Sequence, residues 1–261
     1  MPKIHPSSHV DHRAELASDV QVGPGCVVEG RVKLGDGCRL MGNIYLRGPL
    51  EVGQENTFYP FCCIGFEPQD LGFDIEKAGA GTSIGDRNTF RESVTVHRAT
   101  GSQPTTIGTG NFFMANSHVA HDSLVGNDCV LANGALLAGH VTLEDNVILG
   151  GNAGVHQFCR MGRLSMLAGI RAINKDLPPF FMCYQLEGVA SLNVVGLRRA
   201  GLRQHVQPLT EAYTILYRRK LPKSTAIDMI EKTLGDDPLC LELVKFCRAS
   251  ARGFEECDRL D

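Results

Sequence analysis

Residues 117–158 read SHVAHDSLVGNDCVLANGALLAGHVTLEDNVILGGNAGVHQF, and a large apolar side chain returns at every sixth position: Val119, Val125, Leu131, Leu137, Leu143, Leu149 and Val155. A period of six fits neither the 3.6-residue repeat of a helix nor the two-residue alternation of an ordinary strand. It is the hexapeptide repeat of a parallel β-helix, in which each hexad supplies one short strand and one tight corner. Three hexads close a triangular coil, so the large side chains of successive coils stack in the interior. A coil buries its apolar row only against its neighbours, and the repeats therefore stabilise one another by stacking.

The frame extends both ways. It reaches back through Phe113 to Ile107 and forward through Met161 and Leu167 to Ile173. An earlier run from Ile4 to Ile64 passes through Val10, Leu16, Val22, Val28, Leu34, Leu40, Leu46, Val52 and Phe58, and a short run holds Ile84, Phe90 and Val96. At the usual strand spacing these hexads stack into a triangular prism roughly 40 Å long. Glycine often follows the large residue, as at Gly23, Gly35, Gly53, Gly85, Gly126, Gly150 and Gly162. The expectation is a corner whose backbone angles a Cβ would penalise.

Two interruptions, Gly65 to Ser83 and His97 to Thr106, predict loops that leave a corner of the prism. Loops on a rigid scaffold are where binding groups concentrate. The frame ends near Lys175, and Pro178-Pro179 argues against continuation in sheet or helix. Beyond it, Tyr213, Leu216, Tyr217 and Lys220 lie at helical spacing with Pro222 as a stop. A second helix carries Ile227, Ile230 and Leu234, and Asp237-Pro238 opens a third with Leu239, Leu243, Phe246 and Cys247, followed by Gly253. The predicted organisation is a β-helix over 1–190, with inserted loops at about 65–83 and 97–106, and a small α-helical domain over 191–261.

At 261 residues and 43% apolar composition the chain has enough apolar surface for a folded core. Its net charge of −3 offers no strongly basic surface to nucleic acid. The first residues lack the apolar core of a signal peptide and no stretch is long and apolar enough to span a bilayer, so a cytoplasmic protein is expected. Of ten cysteines, Cys26, Cys38, Cys62, Cys129 and Cys159 share one phase of the repeat, where a thiol serves as a small hydrophobe. The pair Cys62-Cys63 has no counterpart at zinc-finger spacing, and no structural metal is expected.

The chemistry-bearing residues cluster in the later coils. His118 and His156 are two coils apart, while His121 and His140 are one coil and one residue apart, with Asp122 and Gln157 alongside. Imidazole titrates near neutrality, so it can take up and return a proton at physiological pH. This spacing permits a metal site as well, but no acidic ligand set converges in the sequence, and a general base with hydrogen-bonding helpers fits it better. The wide apolar sides of such a prism call for side-by-side trimer packing, with sites in the clefts between subunits.

The chain resembles the bacterial UDP-N-acetylglucosamine O-acyltransferases of lipid A biosynthesis over nearly its whole length. The resemblance rests on Ile84-Gly85-Asp86-Arg87-Asn88, Arg91-Glu92-Ser93-Val94-Thr95-Val96-His97-Arg98, His118-Val119-Ala120-His121-Asp122, Leu137-Ala138-Gly139-His140-Val141, Gly150-Gly151, Val155-His156-Gln157-Phe158-Cys159 and Asp176-Leu177-Pro178-Pro179. It implies an all-β left-handed parallel β-helix followed by a small helical domain, assembled as a homotrimer, with acyl carrier protein as donor and neither metal nor dissociable cofactor. It implies His121, beside Asp122, as general base on the sugar 3-hydroxyl and the Gly139 amide as oxyanion donor. Gln69, Asp70, His118, His140, His156, Gln157, Asn193 and Arg199 would hold the sugar nucleotide, and Gly169 with Met166 would set acyl length, glycine leaving room for a long chain.

The sequence departs from the family pattern where the nucleotide is held. Gly72 stands where lysine is frequent, Val195 replaces an acid, Ala200 a basic residue, and Glu187 lies near a frequent histidine. Lys77 is a candidate to supply the missing ammonium. These departures leave open a different nucleotide-linked amino sugar, such as a 3-amino analogue, as acceptor. A non-catalytic scaffold and a zinc-dependent β-helix carbonic anhydrase are the remaining alternatives. Between Gly196 and Lys223, Arg198, Arg199, Arg203, Arg218, Arg219, Lys220 and Lys223 face a single acid, Glu211. Such a basic region would steer an acidic carrier protein.

Overall fold

The computed structural model describes residues 1–184, 189 and 191–256; Glu187 lies outside them. The hexads form three parallel sheets, the walls of a left-handed triangular prism. The first has 11 strands and starts at Lys3–Ile4, the second has 9 and starts at His9–Val10, and the third has 8 and starts at Glu15–Leu16. Register holds the repeat in line, so that His118 pairs with Leu136 and Leu136 with Gly154 on the second sheet. Every large residue of the frame from Val22 to Ile173 is buried. Ile4, at the open end with no coil beneath it, is 42% exposed.

Inside, equivalent positions stack like with like. Phe58, Phe90 and Phe113 lie face to face with ring centroids 4.8 Å apart. The five cysteines of one phase are buried, and the same phase carries a buried amide ladder. Asn88 Nδ2 donates to Asn56 Oδ1 and Asn111 Nδ2 to Asn88 Oδ1, each at 3.0 Å. Replacing Phe90 by leucine removes the middle ring of the stack, and a loss of about 1–2 kcal/mol is expected, read as a lower denaturant midpoint.

The glycines that follow the large residues do a different job from the one expected of them. They keep ordinary backbone angles, and what they allow is close approach of neighbouring coils: a Cβ on Gly35 would lie 2.6 Å from the Gly53 carbonyl oxygen. The left-handed corner position comes three residues after the large one. It is held by Asn116, Asp122, Asp128, Gly134, His140, Asn146, Asn152, Phe158, Leu164 and Ile170. Asn and Asp are the side chains that tolerate this conformation best. Two of the candidate site residues, Asp122 and His140, are thus corner residues, at φ 58° and 61°.

The sheet does not stop at Pro178-Pro179. Leu177 bridges to Met161, and Phe181–Cys183 adds a further parallel strand beside Met166–Leu167. Both prolines sit in the corner between these segments, where no ladder N–H is required. Ser191–Leu192 then pairs antiparallel with that strand.

Among the described residues four α-helices follow: α1 (Val194–Arg199), α2 (Val206–Tyr213), α3 (Lys223–Leu234) and α4 (Pro238–Arg248). After α2 the chain widens into a five-residue turn of π-helix, Thr214–Arg218, and Lys220 lies beyond it at φ 52°. Asp237 caps α4 by accepting from the Leu239 and Cys240 amides. The helix is held to the prism by the Arg163–Glu242 pair at 2.8 Å and by Arg160, which donates to the Phe246 carbonyl and lies over its ring. Among the described residues no helix is long and apolar enough to cross a membrane.

Candidate active site

A groove of about 1400 Å³ runs along the second sheet. Strand residues Thr95, His118, Leu136 and Gly154 form its floor. The corners that follow those strands bring in His121, Gly139, His156 and Gln157, and Gln69 reaches it from the longer insertion. Period and register therefore converge here: successive coils place equivalent corner residues one above the other.

His121 has its orientation fixed. Its Nδ1 lies 2.7 Å from Asp122 Oδ2, which leaves Nε2 as the nitrogen available to a substrate. Asp122 accepts three further bonds, from the Thr100 hydroxyl at 2.6 Å, the Thr100 amide at 3.0 Å and the Gly101 amide at 3.0 Å. Burial by itself would raise the pKa of this carboxyl. The bonds from Thr100, His121 and the Gly101 amide outweigh that and hold it down at about 2. It is an anion throughout the physiological range, suited to holding Nδ1–H and stabilising an imidazolium. Gly139 packs directly on His121, with no room for a Cβ between them. Among the described residues its N–H has no protein acceptor.

His118 sits one turn of chain before His121, its Nδ1 2.7 Å from the Thr95 hydroxyl of the coil below. Burial and the nearby His121 push its pKa down, so it is a neutral partner with Nε2 free. Behind it His97 is 8% exposed and stands edge-on to the His118 ring. Burial, then His118 and His121, lower the His97 pKa to about 4. A folded-state value below the ordinary 6.5 means that the unfolded chain binds the proton first. Stability should therefore be constant above pH 6.5 in this respect and fall as pH drops from 6.5 towards 4, by about 3 kcal/mol. A His97→Gln variant should flatten that slope in denaturation at stepped pH.

His140, expected to hold substrate, is stacked on Phe158 at 4.6 Å and stands edge-on to His121, beside the groove. His121, Asp122 and His140 do bring three potential metal ligands together, an arrangement that the sequence spacing permitted but for which no acidic ligand set was expected to converge. The acceptor positions of Asp122 are already taken by Thr100, Gly101 and His121, however, so the carboxylate reads as an anchor.

Other expected residues lie elsewhere in the chain. Asp70 accepts from the Gly72 amide and is off the groove lining. Asn193 is buried as the cap of α1, accepting from the Gly196 amide and donating to the Leu164 carbonyl. That use was hidden because α1 is too short to announce itself in the sequence. Arg199 is exposed at the end of α1. Met166 lies on the first sheet and Gly169 just beyond that strand, so neither lines the groove of its own chain. Lys77 pairs with Asp74 at 3.8 Å and is likewise off the groove. Lys223 leaves the basic region: its Nζ donates to the Phe254 carbonyl and lies over that ring. Thr95, Thr100 and His97 are contributors the sequence reading missed. His97 and Thr100 sit in the shorter insertion, where no period points to them, whereas Thr95 shares the strand phase of His118 and was legible from it.

The hexad prism and its histidine groove define the class, a transferase of the hexapeptide-repeat type. A profile described as bacterial transferase hexapeptide matches residues 104–139, and one described as UDP-N-acetylglucosamine O-acyltransferase, domain 2, matches residues 176–255. The acyl-[acyl-carrier-protein]–UDP-N-acetylglucosamine O-acyltransferase of Thermodesulfovibrio yellowstonii is 41% identical over 97% of this chain and 99% of its own. That of Stenotrophomonas maltophilia is 42% identical over 90% of this chain and 91% of its own. The crystal structure of the UDP-N-acetylglucosamine O-acyltransferase of Moraxella catarrhalis superposes with a TM-score of 0.93 at 35% identity, covering 97% of this chain and 99% of that one. The chain belongs to the UDP-N-acetylglucosamine O-acyltransferase family.

Proposed function

We propose that the protein transfers a 3-hydroxyacyl chain from acyl carrier protein to the 3-hydroxyl of UDP-N-acetylglucosamine, the first step of lipid A biosynthesis. The observation that carries the reading is the groove-facing His121, held by an anchored carboxylate and packed on Gly139. In this reading His121 Nε2 removes the proton from the sugar hydroxyl as its oxygen attacks the thioester carbonyl. The oxyanion of the tetrahedral intermediate accepts from the Gly139 N–H, the kind of preorganised donor that often supplies the largest electrostatic contribution. Collapse expels the carrier thiolate, and the imidazolium returns the proton to it. Neutral His118, His156, Gln157 and Gln69 orient the sugar nucleotide.

The working unit is a homotrimer in this proposal. Leu124, Leu136 and Phe158 are half exposed on the prism, apolar surface suited to a neighbouring copy. Arg199, Gly169 and Met166 then serve the groove of an adjacent subunit, the last two limiting acyl length, while Asn193 acts through the helix it caps. Arg198, Arg199 and Arg203 are exposed and in no ion pair among the described residues, and they offer acidic acyl carrier protein its landing site in the cytoplasm. The test is incubation with 3-hydroxyacyl carrier protein and UDP-N-acetylglucosamine beside its 3-amino analogue. Ester formation on the first sugar is expected. Transfer to the amino sugar alone, or to neither, overturns the proposal.

A further inference from the structure

The shorter insertion does more than leave a corner. Asp122 occupies the same phase of the repeat as Asp128, one hexad later, and both have the left-handed backbone of that corner. Among the described residues, Asp128 receives no side-chain hydrogen bond of the kind that surrounds Asp122. The difference is made by Thr100 and Gly101, which lie in the insertion, 22 and 21 residues away, and contribute one hydroxyl and two amides. The contact from the hydroxyl is the shortest of the set, and a donor on a carboxylate is of the charge-assisted kind.

The insertion that carries Thr100 is itself fixed. Arg98 is 3% exposed and donates to Glu67 Oε1 at 3.2 Å and to the carbonyls of Gly65 and Lys77. One end of this segment therefore grips the longer loop that delivers Gln69, and the next residues grip the carboxylate behind His121.

We infer that Thr100 is a positioning residue of the transfer reaction, its hydroxyl setting the direction of the Asp122 carboxylate and so the tautomer and aim of His121. This deepens the reading of His121 as general base and rests on it. With the hydroxyl gone, the carboxylate keeps one amide on each oxygen but loses its shortest donor on Oδ2, the oxygen that also holds His121 Nδ1, and Oδ2 is less firmly placed. The imidazole then loses its single preferred setting while the walls of the groove stay in place. The effect belongs in kcat, with the KM of the acceptor sugar little changed, because Thr100 does not line the groove.

Thr100→Val removes the hydroxyl at nearly constant volume, and Thr100→Ser restores it. The expected result is a fall in kcat of about ten- to a hundredfold in the valine variant, an unchanged KM for the sugar, and recovery to within a few-fold of the parent in the serine variant. In parallel, isotope-labelled histidine NMR of the intact protein should show the Nδ1–H tautomer of His121 dominant in the parent and serine forms and mixed in the valine form. Wild-type kcat in the valine variant, equal damage in the serine variant, or an unaltered tautomer each overturns the inference. The NMR result stands without turnover, so an inactive parent would sink the proposed reaction and still leave Thr100 decided. Full activity in a His121→Ala control would sink the base assignment and, with it, the part given to Thr100 in the reaction.

Discussion

Replacing His121 by alanine is expected to lower kcat by about 10²- to 10⁴-fold, the range over which a positioned general base contributes. The expectation follows from geometry. A sugar hydroxyl is a weak nucleophile at neutral pH, so the proton must leave as the carbon–oxygen bond forms. Only one nitrogen is set up to receive it. Nδ1 is engaged with Asp122, whose carboxyl is held at about 2 and stays ionised, so the lone pair on Nε2 faces the groove. His118 is not a substitute, because its pKa is pushed down by burial and its Nδ1 is tied to Thr95. The substitution should spare the fold, since the prism is held by the interior frame and His121 lies outside it at a corner. Circular dichroism and size-exclusion behaviour should match the parent while acyl transfer is lost. A variant that folds and transfers at the parent rate would show that another group takes the proton.

Much of the architecture could be read before the structure because a β-helix interior takes one large side chain per hexad, and that constraint writes a period of six directly into the sequence. Val119, Leu137 and Val155 could be assigned to one wall, and His118 and His121 followed at a known phase. The same logic misjudged the glycines. A glycine after a large residue looks the same in sequence whether it serves a positive φ or a close backbone approach, and Gly35 and Gly53 serve the second. It also passed over the Asn56, Asn88 and Asn111 ladder, because a polar residue in a core phase looks like a break until its partners are seen. Thr100 escaped for a third reason. An insertion has no register, so nothing in the chain order tells that its hydroxyl lies on a carboxylate 22 residues further on. Asn193, expected to hold the nucleotide, also caps a helix, a role that asparagine suits well but that the sequence did not announce.

Gly139 connects the scaffold to the chemistry, and its substitution by alanine should show how closely. A Cβ there would stand 2.7 Å from His121 Cε1 and 2.8 Å from Nε2, well inside van der Waals contact with the imidazole. The backbone cannot retreat freely. The Gly139 carbonyl accepts from the Phe158 amide at 3.2 Å, and the adjoining His140 amide donates to the His121 carbonyl at 3.0 Å, so the corner is tied to the coils on both sides. Nor is alanine excluded by conformation, because Gly139 is not among the residues with positive φ. The imidazole must give way, by roughly 1 Å, and a displacement of that size at a reacting nitrogen costs on the order of a hundredfold in kcat. Stability should change little, as the ring is at the surface of the prism and can move into the groove. The decisive comparison is a double-variant cycle. If Gly139→Ala acts by moving the base, then in a His121→Ala background it should cost almost nothing further, because there is no longer a ring to displace. If the losses multiply instead, the methyl group harms the reaction through the neighbouring amide, and the part given to the Gly139 N–H on the oxyanion becomes the larger one. A Gly139→Ala protein with the parent kcat would remove both explanations at once, since a methyl tolerated there means that the imidazole does not work from this position.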